Sequence, residues 1–505
     1  MTDEDFIGGV PGDHEIATDV VVVGTGAGGA TVAKELSEKG VKVVMLEMGA
    51  FHTHEDFNQR EDKMMPLLFQ KGGATGNKDL SVLVLMGKGV GGSTVHNGCL
   101  CYRPPRGILN RWQKEYGVEG LDDKTLLPYF RRAEKNIAVS PVPEELLNEN
   151  NKILRRGAEK LGWRGHRTRH NRIQCVSCGY CTLACAYNRK QSMLITNVPK
   201  ALSRGAKLFP NVKAEEILRD ANGATGLVGT RYDAFGRPNG RLRVNAKRVV
   251  VSAGSVQSAA LMLRNGLGGG LIGRTLHIHP AAPIGAEFEQ EVIAWRGTPQ
   301  TWISDHFASF YKDGYGGFMI IPQSGHPGLT ATLLPGVGAQ FAKAMKRYPY
   351  IAAASGMIHD ETNGIVEYDE ERGFTIDYWP DEQDARTLTE SAKRCAELYL
   401  AAGAKRVFLP TPQPVWITKK SELGAFDEIA VEPFKIAVAA VHPQSTIPMG
   451  ENKSRCAVNS YGRSHEVNNL YVADMSVFPT SVGVPPQITT GTLAIRTADY
   501  IHESL

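Results

Sequence analysis

The chain predicts an α/β fold built as two interleaved parts, and three features carry that expectation. A strand–helix–strand unit opens the chain. Further strand–helix pairs recur in its middle and at its end. A stretch of period-two alternation, with one long helical run, lies between them. At 505 residues the chain exceeds one ordinary domain, which agrees with two parts sharing a large core.

Residues 19–23 (DVVVV) form a short Val-rich run suited to a buried parallel strand. The turn Gly24-Thr25-Gly26-Ala27-Gly28-Gly29 follows, and residues 30–39 then place Val32, Ala33 and Leu36 on one helical face. Gly40 ends that helix, and residues 41–46 make a second strand closing on Glu47. Residues 247–254 (KRVVVSAG) repeat the strand and lead into a helix over 256–265. Near the C-terminus, residues 469–474 (NLYVAD) read as a strand and 488–502 as a helix. Between these pieces, alternation over 364–368 and 374–378 and a helical run over 382–402 predict a mixed sheet-and-helix part. The sequence has no internal repeat and no low-complexity tract.

Hydrophobic residues make up 42% and charged residues 22%, an ordinary balance for a soluble globular protein. A net charge of +4 gives no reason to expect nucleic acid or an anionic membrane as partner. The first ten residues, MTDEDFIGGV, are acidic and lack the apolar region of a secretory signal. No uninterrupted apolar run approaches the roughly 20 residues that span a bilayer. A soluble cytoplasmic protein is expected.

The glycines of the first turn sit where a dinucleotide needs them. Gly24 allows the tight turn off the strand, Gly26 lets the backbone approach a pyrophosphate, and Gly29 permits close helix–strand packing. The pyrophosphate would rest on the helix N-terminus, where unpaired N–H groups favour negative charge. Glu47 ends the next strand, placed to accept hydrogen bonds from ribose hydroxyls and to disfavour a 2′-phosphate. These residues do not by themselves separate FAD from NAD.

Four of the eight cysteines form the run Cys175-x2-Cys178-x2-Cys181-x3-Cys185. That is the spacing of a bacterial ferredoxin run, except that Ala186 stands where a Pro usually trails. In a reducing compartment the run reads as metal or redox chemistry before disulfides, with a 4Fe-4S iron–sulfur cluster as the expected occupant. Zinc is less suited, since its structural knuckles are normally separated by a longer gap.

Residues 87–103 (GKGVGGSTVHNGCLCYR) resemble a signature of the glucose–methanol–choline (GMC) oxidoreductases, flavoenzymes that oxidise alcohols. Residues 442–499, with HPQSTIPMG, NNLYVADMSVFPTSVGVPPQIT and a final TAD, resemble the family's second signature. Within the family, residues 178–192, 272–280 and 345–364 are similar to long-chain alcohol oxidases, and 481–486 (SVGVPP) to cholesterol oxidase. The resemblance implies a Rossmann-like FAD-binding domain of GMC type over 1–115, 195–285 and 436–505. Interleaved with it would be an α+β substrate domain over 286–435 containing an antiparallel sheet, and an insertion over 116–194 carrying the cysteines. It also implies that FAD is held by Gly24, Gly26, Gly28, Gly29, Glu47, Gly87, Gly91, Gly92, Ser93, His96, Asn97, Gly98, Ala253, Asp474, Pro486 and Thr489. His96 matches the histidine that choline oxidase and pyranose dehydrogenase bond covalently to the flavin. The helix after Pro486 would aim N–H dipoles at the flavin's pyrimidine end.

The resemblance places a catalytic base at His442, which takes the hydroxyl proton as hydride leaves for the flavin. The family usually supplies a second His or Asn where this chain has Pro485, a side chain without donor or acceptor. Gln487 or His465 is left as the substitute, or His442 acts alone. Bacterial FAD-dependent glucose dehydrogenases carry a cysteine-ligated cluster in a similar place. The cysteine run therefore argues for a dehydrogenase that passes electrons to an external acceptor over an oxidase using oxygen directly, and the acceptor itself (oxygen, a quinone or a redox protein) is left open. The expected function is oxidation of an apolar alcohol to an aldehyde or ketone, with Leu333, Leu334 and residues 341–345 near the entrance. The alternatives are a sugar or glycoside dehydrogenase, and a flavin- and cluster-bearing electron-transfer subunit without alcohol turnover.

Overall fold

The computed structural model describes residues 12–334, 336–412 and 415–505, so the segment read for a secretory signal lies outside the described residues. The expected α/β architecture is present, organised on two seven-stranded sheets.

The first sheet runs Lys207–Phe209, Val43–Leu46, His14–Val23, Pro238–Val251, with the last three residues of Pro238–Val251 also pairing with Leu470–Val472. All these pairs are parallel. Such strands are buried on both faces, which is why they read as continuous Val, Met and Leu runs. A hairpin, Val212–Asp220 and Gly223–Tyr232, extends the sheet antiparallel from the first half of Pro238–Val251. Helices Gly29–Ser37 and Gln487–Glu503 pack against each other beside this sheet, and Ser255–Arg264 follows the long strand. Three segments far apart in sequence thus form one layer.

The second sheet is antiparallel through Phe318–Pro322, Ile351–Ile358, Ala281–Glu287, Arg406–Leu409 and Val415–Ile417. Helix Glu382–Ala402 covers one face of it, burying Leu388, Ala392, Cys395 and Tyr399. Period-two alternation divides the strands between helix and cavity. Ala282 and Ala286 are buried away from a large cavity, whereas Ala281, Pro283 and Gly285 line it, with Ile284 also reaching it. Gly356 lets the helix approach closely, since a Cβ there would come within 2.4 Å of Ser391 Cβ. The two parts interlock more deeply than the expected boundaries. Val82–Val84, Val438–Ala440 and the first five residues of Ala281–Glu287 belong to this second sheet although the sequence assigns them to the nucleotide-binding part.

Among the described residues, no helix is long and apolar enough to cross a membrane.

Candidate active site

A cavity of about 690 Å³ runs from the first glycine turn to the inner face of the second sheet. At one end Gly24, Gly26 and Gly28 line it below the N-terminus of helix Gly29–Ser37. Gly24 has φ +95°, and a Cβ there would strike Ser252 O. At Gly26 the nearest atom to a Cβ would be Gly92 Cα, 4.0 Å away, so the space beside it is open. Gly29 lies behind the wall and packs against Gly24 O, the packing role the sequence assigns it.

Glu47 joins the loops at this end. Its carboxylate accepts hydrogen bonds from Thr25 N and Oγ1, Gly49 N and Gly89 N. Burial nevertheless pushes its pKa up. Asp474 has the same function further along. It accepts from Gly254 N, Ser258 Oγ and Ser476, tying together the turns after two parallel strands. Ala253, Gly87, Gly92, Ser93, Asn97, Gly98 and Pro486 also line the cavity, while Gly91 and Thr489 do not. The Thr489 hydroxyl is buried without a partner, beside a lining residue, Thr490.

His96 lies on Phe69, ring centroids 4.0 Å apart, with its Nε2 buried and unpartnered. A Cβ at Gly87 would come within 2.4 Å of that nitrogen. Burial lowers the His96 pKa to about 3, so the ring is neutral at ordinary pH.

At the far end His442 follows strand Val438–Ala440 and lines the cavity beside Pro485 and Pro486. Burial lowers its pKa to about 4, leaving a neutral ring. Its partner is one that the sequence did not single out. His279 Nδ1 lies 3.3 Å from His442 Nδ1, with the rings edge to face. Sheet register brings them together. Ala281 pairs with Ala439, and His277 with Gln444, so the two chains run antiparallel past each other. The available signal was the doublet of His277 and His279 before Pro280, within the 272–280 segment that resembles long-chain alcohol oxidases.

Beneath this pair sits Asp360, fully buried. It accepts from Ile278 N, His279 N, Tyr378 OH and Ser481 Oγ. Although burial opposes it, hydrogen bonding and the nearby histidines hold this carboxyl well below the usual carboxylate range.

The two expected substitutes for the missing partner are placed differently. Gln487 lines the cavity, but its Oε1 accepts from Asn97 Nδ2 and its Nε2 donates to Cys101 Sγ. His465 lies outside the cavity, with Nε2 on Gly450 O. Toward the sheet the lining is mostly apolar, including Leu83, Leu85, Ile321, Leu333, Met357 and Phe408, with Gln323 and Ser355 as polar members. Leu334 also lines it, while Phe341, Ala344 and Met345 pack outside against Leu334 and Tyr348.

Cys175, Cys178, Cys181 and Cys185 are free thiols around one small cavity. Among the described residues, no three His, Cys, Asp or Glu side chains are grouped to hold a metal ion, so the expected metal-ligand role of these cysteines is not supported by such a grouping. What surrounds them is cationic. Lys190 and Arg172 are buried beside the sulfurs, and no carboxylate forms an ion pair with either among the described residues. Lys190 donates to Val95 O, Asn97 O and Cys181 O, and Arg172 to Gly98 O, joining the wall of the large cavity to the cysteine turn. Cys99 and Thr182 line the large cavity and Cys181 the small one, so a single layer of residues separates the two.

Two family models, both described as GMC oxidoreductase, match residues 65–281 and 362–494. An uncharacterized GMC-type oxidoreductase of Mycobacterium tuberculosis is 33% identical over 487 residues, covering 95% of this chain and 75% of the relative. A long-chain-alcohol oxidase of Arabidopsis thaliana is 27% identical over 529 residues, covering 97% of this chain and 68% of the relative. The crystal structure of pyridoxine 4-oxidase from Mesorbium loti superposes with a TM-score of 0.72 at 16% identity, covering 96% and 99% of the two chains, which shows a shared fold.

Proposed function

Since the chain belongs to the GMC oxidoreductase family of FAD enzymes, we propose that it oxidises an apolar primary or secondary alcohol to the aldehyde or ketone, with His442 as base. The observation that carries this reading is a neutral histidine on an apolar cavity continuous with the glycine cradle. The long-chain-alcohol oxidase relatives support the apolar preference.

The residues present fit the cofactor. Gly26 leaves open space at the helix N-terminus, and the unpartnered buried nitrogen of His96 adjoins the same cavity. When bound, FAD supplies the hydride acceptor. Gly24, Gly26 and Gly28 would hold its pyrophosphate, Glu47 its ribose, and His96, Asn97 and Gly98 the flavin side. The chain itself positions the alcohol carbon against the flavin, excludes water with aliphatic side chains, and removes the hydroxyl proton at His442.

Anaerobic mixing with octan-1-ol, decan-1-ol, cyclohexanol and glucose tests the proposal. The flavin should bleach with the apolar alcohols and not with glucose; a flavin that stays oxidised with all alcohols overturns it. The base must be neutral to act, and burial lowers the His442 pKa. Neutral His442 therefore persists as pH falls until about 4, where it takes up a proton. The profile of kcat/KM should be level across pH 5.5–7.5, with its acid limb near 4 in place of the ordinary histidine value of about 6.5.

The cysteine run supports a second element, an iron–sulfur cluster held by Cys175, Cys178, Cys181 and Cys185. Its support is the pair of buried cations without carboxylates. A buried unpaired charge is costly, and a thiolate-ligated cluster is an anion that would offset it. Protein purified without oxygen should contain about four iron and four acid-labile sulfide per chain. Values near zero would remove the cluster and leave the flavin chemistry intact.

A further inference from the structure

We propose that His279 is a second catalytic residue, its Nδ1–H donating to the substrate oxygen while His442 Nδ1 receives the hydroxyl proton. This rests on the alcohol-oxidising reading above.

The proton on His279 is located by a backbone group. Gly483 N lies 2.9 Å from His279 Nε2, and a backbone N–H only donates. Nε2 is therefore an acceptor, and the single proton of the neutral ring sits on Nδ1. Protonating Nε2 would set N–H against N–H, so the same amide opposes the cation. Burial acts in the same direction, holding His279 well below the ordinary histidine value.

Since His279 Nδ1 carries hydrogen, His442 Nδ1 at 3.3 Å must present its lone pair. A donor and an acceptor thus face each other on the wall of the cavity, at a distance long for a hydrogen bond. A hydroxyl is both donor and acceptor and complements that pair. An oxygen about 2.8 Å from each nitrogen must stand off the line between them, or the rings must part. His442, which is less buried than His279, is the one placed to turn.

His279 is held by its surroundings. Its backbone is left-handed, φ +52°, an uncommon state for a side chain of this size. Asp360 maintains that turn by accepting from the amides of residues 278 and 279. The same carboxylate accepts from Ser481, two residues before Gly483. One buried anion therefore fixes both the imidazole and the loop whose amide sets its proton. Pro485, on the wall of the same cavity, has no side-chain group to offer in its place.

The step balances without another reactant. The carbinol hydrogen leaves as hydride to the flavin, the O–H proton passes to His442 Nδ1, and the C–O single bond becomes C=O. His279 keeps its proton and stabilises the charge that develops on oxygen. Once the product leaves, two N–H groups face each other, which favours release of the proton from His442.

The test uses the flavin-loaded enzyme. In protein carrying ¹⁵N-histidine, NMR should show His279 protonated at Nδ1 and bare at Nε2; the opposite tautomer overturns the proposal. With octan-1-ol in stopped flow, His279→Ala should lower the limiting rate of flavin reduction by about 10²- to 10³-fold with flavin content unchanged. His279→Asn, which tolerates left-handed backbone and keeps an N–H donor, should recover about tenfold or more of that loss. A wild-type rate in the alanine variant, or equal rates in the two variants, overturns the donor role. If the wild-type flavin is not bleached by octan-1-ol or any other alcohol, the alcohol-oxidising reading fails instead, and the tautomer alone decides whether His279 presents a donor to the cavity.

Discussion

Replacing His442 by alanine should slow reduction of the bound flavin by alcohol by about 10²- to 10⁴-fold, the range usually supplied by a positioned general base. The side chain removed has one polar contact, to His279, and the hydrogen bond from Gln444 Nε2 goes to the backbone oxygen that alanine retains. Flavin content and thermal stability should therefore stay close to wild type, and the loss should appear in the limiting rate. The acid limb near pH 4 should vanish along with the group that titrates there. Stopped-flow absorbance at the flavin band across pH 4–8 measures both effects. A variant reduced within about threefold of the wild-type rate would show that another group takes the proton.

Gly26→Val should give a folded protein almost without flavin. The other glycines of the turn are required by the protein itself. A Cβ at Gly24, Gly28 or Gly29 would lie 2.2, 1.7 or 2.0 Å from a backbone oxygen. Gly26 differs, because a Cβ there meets only Gly92 Cα at 4.0 Å and its backbone suits any residue. Valine would fill the space where the pyrophosphate approaches the helix N-terminus. The flavin-to-protein absorbance ratio should fall from about one flavin per chain to about a tenth or less, with far-ultraviolet circular dichroism unchanged. Gly28→Val is the contrast and should fail to fold. Stoichiometric flavin in Gly26→Val would mean that the dinucleotide lies elsewhere.

Much of the architecture is legible in the sequence. The first strand, turn and helix follow from local periodicity and glycine placement, and the observed Gly29–Ser37 and Glu382–Ala402 fall within a residue or two of expectation. Such elements are decided by neighbours a few positions apart, which a single sequence records directly. Boundaries between the parts are less legible, because Val82–Val84 and Val438–Ala440 join the second sheet through pairing partners hundreds of residues away.

The site divides in the same way. His442 is found by its motif, and its neutral state then follows from burial. Gln487 is read from the sequence as a cavity residue, and the structure adds its two side-chain partners, Asn97 and Cys101. His279 lies in the 272–280 segment, which assigns it no role. Its relation to His442 spans 163 positions and exists only because Ala281 pairs with Ala439.

Local chemistry therefore determined the glycine cradle, the family signatures, the base and the cysteine spacing, since each is written in adjacent residues. Tertiary structure alone decided which side chain faces His442, which nitrogen of His279 carries the proton, and that Arg172 and Lys190, without a carboxylate partner among the described residues, lie against the cysteines. Those facts depend on sheet register and burial, and neither is a property of any one stretch of chain.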